Sequence, residues 1–126
     1  MKKLALPASA LLLLFLLSAV NGIVLSRRVA HWQQQLSQAE YWADQSQWDQ
    51  TIAALEESYQ DWQHAQGYLH VVLDHTAVDD AEAMYHRARA FALTEEPSEF
   101  RAETAHLRAQ LALLADMEQF RIQNIL

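Results

Sequence analysis

Two hydrophobic patterns divide the chain. From Leu4 to Leu25 there is no charged residue, and from Arg27 onward apolar positions recur every three or four residues. The first pattern predicts a membrane-type helix and the second a set of amphipathic helices. One helix is expected from Arg27 to Ala43, with Val29, Trp32, Leu36, Ala39 and Ala43 on its apolar face; only Ser26 punctuates the join to the uncharged run. Asp44-Gln45-Ser46 then breaks the pattern. Ser46 followed by Asp49 resembles an N-cap with its acid three residues on.

The next helix is expected from Gln47 to about Leu73. Its stripe of Trp48, Ile52, Leu55, Tyr59, Trp62, Leu69 and Leu73 is a near-heptad seam, with Gln66 in the skipped place. Gly67 is expected to bend or weaken it. Thr76 with Asp79 repeats the cap-and-acid pattern and opens a helix from Ala77 to Leu93, with Ala81, Met84, Tyr85, Ala88 and Phe91 inward. Pro97 suits the first turn of a last helix, which runs to about Gln123 and carries Phe100, Leu107, Leu111, Leu114, Met117 and Phe120 on its apolar positions. The expected fold is all-α: an N-terminal transmembrane helix over residues 1–26, then an antiparallel bundle of about four helices over residues 27–126.

Short connections make successive helices antiparallel. A helix of about 27 residues then returns beside one of about 17 and overshoots toward the bilayer. This predicts either a bend near Gly67 or lipid contact by Tyr68, Leu69, Val72 and Leu73. The end of the last helix, with Ile122, Ile125 and Leu126, returns to the same side.

The uncharged run would span about 33 Å as a helix, just over a bilayer's hydrocarbon core. Lys2 and Lys3 precede it, Arg27 and Arg28 follow it, and Trp32 suits an interfacial position. The alternative is a cleaved signal peptide, with a site at Val20-Asn21-Gly22. Signal-peptide apolar regions are shorter, so length favours a retained single-pass anchor in the cell membrane. A tail of two lysines is easily kept inside, which places the C-terminal domain outside the cytoplasm.

Charge and composition narrow the classes. From Arg27 onward lie all sixteen carboxylates, against seven arginines and no lysine. So acidic a domain repels phosphate backbones, and no nucleic-acid partner is expected. With no cysteine, a disulfide framework, thiol catalysis and cysteine-ligated metal are excluded. Two glycines and two prolines leave few turns, as long helices require.

His75, Asp79, Glu82 and His86 stand at intervals of four, three and four. On one helix face, two imidazoles and two carboxylates are a candidate site for zinc or another divalent ion. Capping competes with that reading. A break at Thr76 would put His75 at the C-terminal end of the preceding helix, opposing its dipole, with the acids in the first turns of the next. His70 and Asp74, four apart, read as a helical ion pair. The tryptophans and tyrosines could line a ligand groove, but their spacing suits core packing or the membrane interface. Glu95, Glu96, Glu99 and Glu103 read as solvated acids at a helix start. No nucleophile elbow, zinc-protease pair, phosphate loop or calcium loop occurs in the sequence.

Lys2-Lys3 before a single span, Trp48-Asp49 opening a helix, Trp62, Asp74-His75 followed by Val78-Asp79, and the closing Asn124-Ile125-Leu126 resemble the bacterial family called domain of unknown function 4363. The resemblance implies a small single-pass bacterial protein of Gram-positive, Firmicutes type. It brings no activity and no catalytic residue, though it implies that His75 and Asp79 matter together. The function expected is a non-enzymatic module without cofactor, tethered to the membrane and binding a protein partner or itself. The rival is an extracytoplasmic metal- or ligand-binding domain using the His75 to His86 region.

Overall fold

A computed structural model describes residues 2–125, with the side chains of residues 2, 121–123 and 125 outside that description. Four helices follow one another: α1 (Lys2–Asp44), α2 (Trp48–Val72), α3 (His75–Leu93) and α4 (Pro97–Ile125). α1 packs against α2 and α4, and α3 closes the ring by packing against both. The result is an up-down-up-down bundle with one core.

The uncharged run and the first expected amphipathic helix are one unbroken helix. Ser26 does not interrupt it, and the helix also runs through Pro7 in its second turn, at the loss of one backbone hydrogen bond. The lower part of α1, from Leu4 to Val20, is apolar and largely uncovered by the other helices. It is long and apolar enough to cross a membrane, a description that a signal sequence also meets.

The upper turns are built alike. Ser46 and Glu95 both adopt left-handed backbone, with φ of 58° and 54°. At the first, Gln47 N–H donates to the Trp42 carbonyl and Ser46 N–H to that of Ala43; at the second, Glu96 donates to Phe91 and Glu95 to Ala92. These are Schellman closures of α1 and α3. Ser46 therefore ends α1 rather than capping α2, whose N-cap is Gln47 with no side-chain bond. The expected cap at Thr76 is also displaced. Asp74 caps α3 by accepting from the Thr76 N–H at 3.4 Å. A carboxylate two residues earlier competes better for the free N–H groups, so α3 begins at His75.

The core seam of α2 differs from the expected stripe. Its buried residues are Thr51, Leu55, Ser58, Trp62, Ala65 and Leu69, at alternating spacings of four and three. Trp48, Ile52, Tyr59 and Leu73 flank this seam half-buried. Small residues between large ones let neighbouring helices approach closely, so alanine, serine and threonine hold positions that hydrophobicity alone assigns to aromatics. α3 behaves similarly, burying Ala77, Ala81, Ala88 and Ala92 around Tyr85 and Val78. The expected face of α1 is buried throughout, from Val29 to Ala43. Large side chains such as Trp32, Trp62, Phe100 and Leu107 are fully enclosed, each contributing about 1.5–3 kcal/mol. Trp32 and Trp62 meet edge to face at 5.3 Å and join α1 to α2.

The α4 seam runs Phe100, Thr104, Leu107, Leu111, Leu114 and then Glu118. Met117 and Phe120, expected inward, are exposed. The heptad continues past Leu114, but a carboxylate occupies its next core position. α2 is a single helix through Gly67, and Leu69 is buried rather than free to meet lipid. Tyr68 turns to α1. The Ile122 and Ile125 side chains and Leu126 lie outside the described residues.

Candidate functional site

The densest polar constellation joins α2 to α3 at Glu82. Tyr59 Oη donates to Glu82 Oε1 at 2.5 Å, while Trp62 Nε1 and Gln66 Nε2 donate to Oε2 at 2.8 and 2.6 Å. Residues 59, 62 and 66 follow the helical repeat, so one face of α2 presents three donors to one carboxylate. His86 sits a turn after Glu82, its Nε2 3.3 Å from both Glu82 Oε1 and Tyr59 Oη. Gln63 donates to Tyr59 Oη at 3.0 Å.

Beside this layer, toward the upper turns, Ser58 and Tyr85 share a buried hydrogen bond of 2.8 Å. Burial, with the Glu82 hydrogen bond and charge added, pushes the Tyr59 hydroxyl up to about 12. Burial also pushes the Tyr85 hydroxyl well above the ordinary tyrosine range.

The four candidate metal ligands separate into different settings. Glu82 and His86 are adjacent, but both carboxylate oxygens of Glu82 already accept from α2. His75 lies eleven residues before His86, about 16 Å along the helix. It stacks on His70 instead, with ring centroids 4.9 Å apart and Nδ1 atoms 2.9 Å apart, one ring donating to the other. His70 therefore pairs with His75 rather than with Asp74, and His75 stands at the start of α3 rather than the end of α2. Asp79 is exposed on the first turns of α3. Among the described residues no group of three or more histidine, aspartate or glutamate side chains converges to hold a metal. Two imidazoles supply half of a tetrahedral zinc set.

The sequence did carry one sign of the Glu82 node. Gln66 is the polar residue in the skipped place of an otherwise apolar stripe, and it points at the carboxylate. Tyr59 and Trp62 read as core, which they are in part; their polar atoms give them a second role.

Another cluster lies at the lower end of the bundle. Tyr68 Oη donates to Asn21 Oδ1 at 2.5 Å, and the Arg28 guanidinium carbon stands 5.7 Å from the Tyr68 ring centroid. Glu118 is only 6% exposed. Its charge, after burial, raises the Tyr68 hydroxyl above the usual range, and Arg28 opposes that rise.

A third feature is a groove of about 600 Å³ between α1 and α4, lined by Gln33, Gln34, Gln38, Tyr41 and Arg108 among others. Arg108 fixes one wall, donating to Gln33 Oε1 at 3.0 Å and Glu40 Oε2 at 3.1 Å. Higher up, Arg101 pairs with Asp44 and ties α4 to the end of α1.

Neither the curated proteins nor the solved structures contain a match to this chain. One family model does match, over residues 22–125, from the point where α1 enters the bundle to the end of α4. With that much of the bundle covered, the chain belongs to the family described as a domain of unknown function, DUF4363.

Proposed function

We propose that this chain is a membrane-anchored, non-enzymatic helical module that binds a protein partner, or a second copy of itself, at the extracytoplasmic membrane surface. The observation behind the reading is the outward face of α1. Ala30, Gln34, Ser37, Gln38 and Tyr41 are exposed there and carry no charge, in a domain otherwise dense with carboxylates. Neutral amides and a tyrosine cost less to strip of water than charges do, and protein interfaces are depleted of charge and enriched in tyrosine at their centres. The groove beside this face, walled by Arg108, gives a partner helix relief to seat against.

The retained anchor follows from the length of the uncharged run, and the outward placement from the two-lysine tail. The test is photo-crosslinking of the full chain in cells, with benzoylphenylalanine placed at Gln34, Gln38 or Tyr41 and, as control, at exposed Ala90 on α3. A discrete adduct at the three α1 positions and none at Ala90 is the expected result. Equal labelling at all four, or none, rejects the interaction surface.

A further inference from the structure

We infer that the lower end of the bundle is a lipid-binding foot, seated in the boundary between acyl chains and headgroups rather than above it. The inference rests on the anchored reading of α1. Asn21, Gly22 and Leu25 are wholly or partly covered by the bundle, so the rod available to lipid is Leu4 to Val20. Seventeen residues of helix reach about 25 Å, against a hydrocarbon core of about 30 Å. A bundle standing clear of the bilayer would leave that difference as mismatch, which thinning of the membrane would have to absorb.

Apolar side chains lie at the level where the shortfall falls. Gln119 donates to Ser26 at 3.3 Å and Tyr68 reaches Asn21, which fixes the heights of α4 and α2 on α1. At that height Ile23 and Val24 of α1 are exposed, Val71 of α2 is 83% exposed and Phe120 of α4 is 64% exposed. On α4 the pattern is inverted, with Glu118 inside and Met117 and Phe120 outside. In water that exchange is unfavourable; against lipid the outward residues are covered.

Directly above stand Arg27 and Arg28, exposed and one turn up, at the height of lipid phosphates, with Tyr68 beside Arg28 as an interfacial aromatic. An apolar groove of about 560 Å³ between α1 and α4, lined by Ala19, Gly22 and Ile23 and topped by Arg27 and Gln119, fits an acyl chain under its phosphate. Exposed Asp74 and His75 form the turn just beyond Val71 at the same end, so this corner must stay among polar headgroups and the apolar contact is shallow.

The chain has no cysteine, so single probes can be placed cleanly. Full-length protein carrying Val71→Cys, Phe120→Cys, Leu12→Cys or Leu93→Cys would be labelled with bimane. It would then be reconstituted in phosphatidylcholine and phosphatidylglycerol vesicles containing doxyl-labelled lipid. Leu12 reports the span, and Leu93 is an exposed apolar residue at the opposite end of the bundle. The expected result is severalfold stronger quenching at positions 12, 71 and 120 than at 93. Quenching at 12 with 71 and 120 no different from 93 overturns the foot and leaves the anchor standing. No quenching at 12 removes the anchor and the foot together.

Discussion

Trp62 Nε1 donates to Glu82 Oε2 across 2.8 Å, and the same indole ring is fully enclosed between α1 and α3. One side chain thus fills the core and fastens the Glu82 carboxylate, which gathers three α2 donors onto α3. Removing the acceptor by Glu82→Ala leaves the indole N–H without its partner, at about 1–3 kcal/mol. Urea unfolding of the wild type, Glu82→Ala, Trp62→Phe and the double variant should show a coupling of about 1 kcal/mol. Strict additivity would mean that the bond contributes nothing.

Gly67 should be replaceable at a gain. A Cβ built there meets no atom within 4 Å, and the residue lies inside α2. Gly67→Ala is expected to stabilise by about 0.4–1 kcal/mol through the unfolded chain's lost freedom. A fall in thermal midpoint would show that the position needs glycine for another reason.

The two Schellman turns predict the opposite substitution. Ser46 and Glu95 hold left-handed backbone that costs an L residue about 1–2 kcal/mol. Part of that returns on Ser46→Gly or Glu95→Gly, so each should raise the unfolding midpoint in calorimetry. Unchanged midpoints in both would mean that the side chains compensate the strain fully.

Alkaline pH should loosen the bundle. The Tyr59 hydroxyl is raised to about 12 and that of Tyr85 is raised further. A group whose folded value exceeds its unfolded one gives stability that is whole below about pH 10 and is lost as pH climbs through the folded value. Stability should therefore fall between about pH 10 and 12, and Tyr59→Phe should flatten that slope. A slope unaffected by Tyr59→Phe and Tyr85→Phe would locate the loss elsewhere.

Glu118 is the fifth case. It holds a core position of the α4 seam, and no ion pair reaches it among the described residues. Glu118→Leu should stabilise the bundle by about 1–2 kcal/mol by completing the seam with a side chain that favours burial. Destabilisation would reveal a role for the carboxylate in ordering Tyr68 and Arg28.

The helical content, the order of the helices and the faces of α1 were readable from periodicity, because there large apolar residues mark the core. α2 was harder. Its seam alternates large with small residues, and periodicity weighted by hydrophobicity slides toward the half-buried aromatics beside it. The turn at residue 46 departs from the sequence pattern because serine is a common N-cap and a rare left-handed C′ residue. The His75 to His86 set shared a face on paper, yet contacts across helices decided its fate. His75 found His70, and Glu82 found three donors on α2, partners that only the packing of α2 against α3 brings together.

The 43 residues of α1 form a single rod without a hinge between its apolar half and the bundle. Such a rod has no slack to absorb rotation. Under the anchored reading, any tilt or axial turn of the submerged half is transmitted as torque to the exposed module, swinging the Gln34 to Tyr41 face through the same angle. The compass bearing of that face toward a neighbour is thus set from below, by how the span beds among lipids or beside another span.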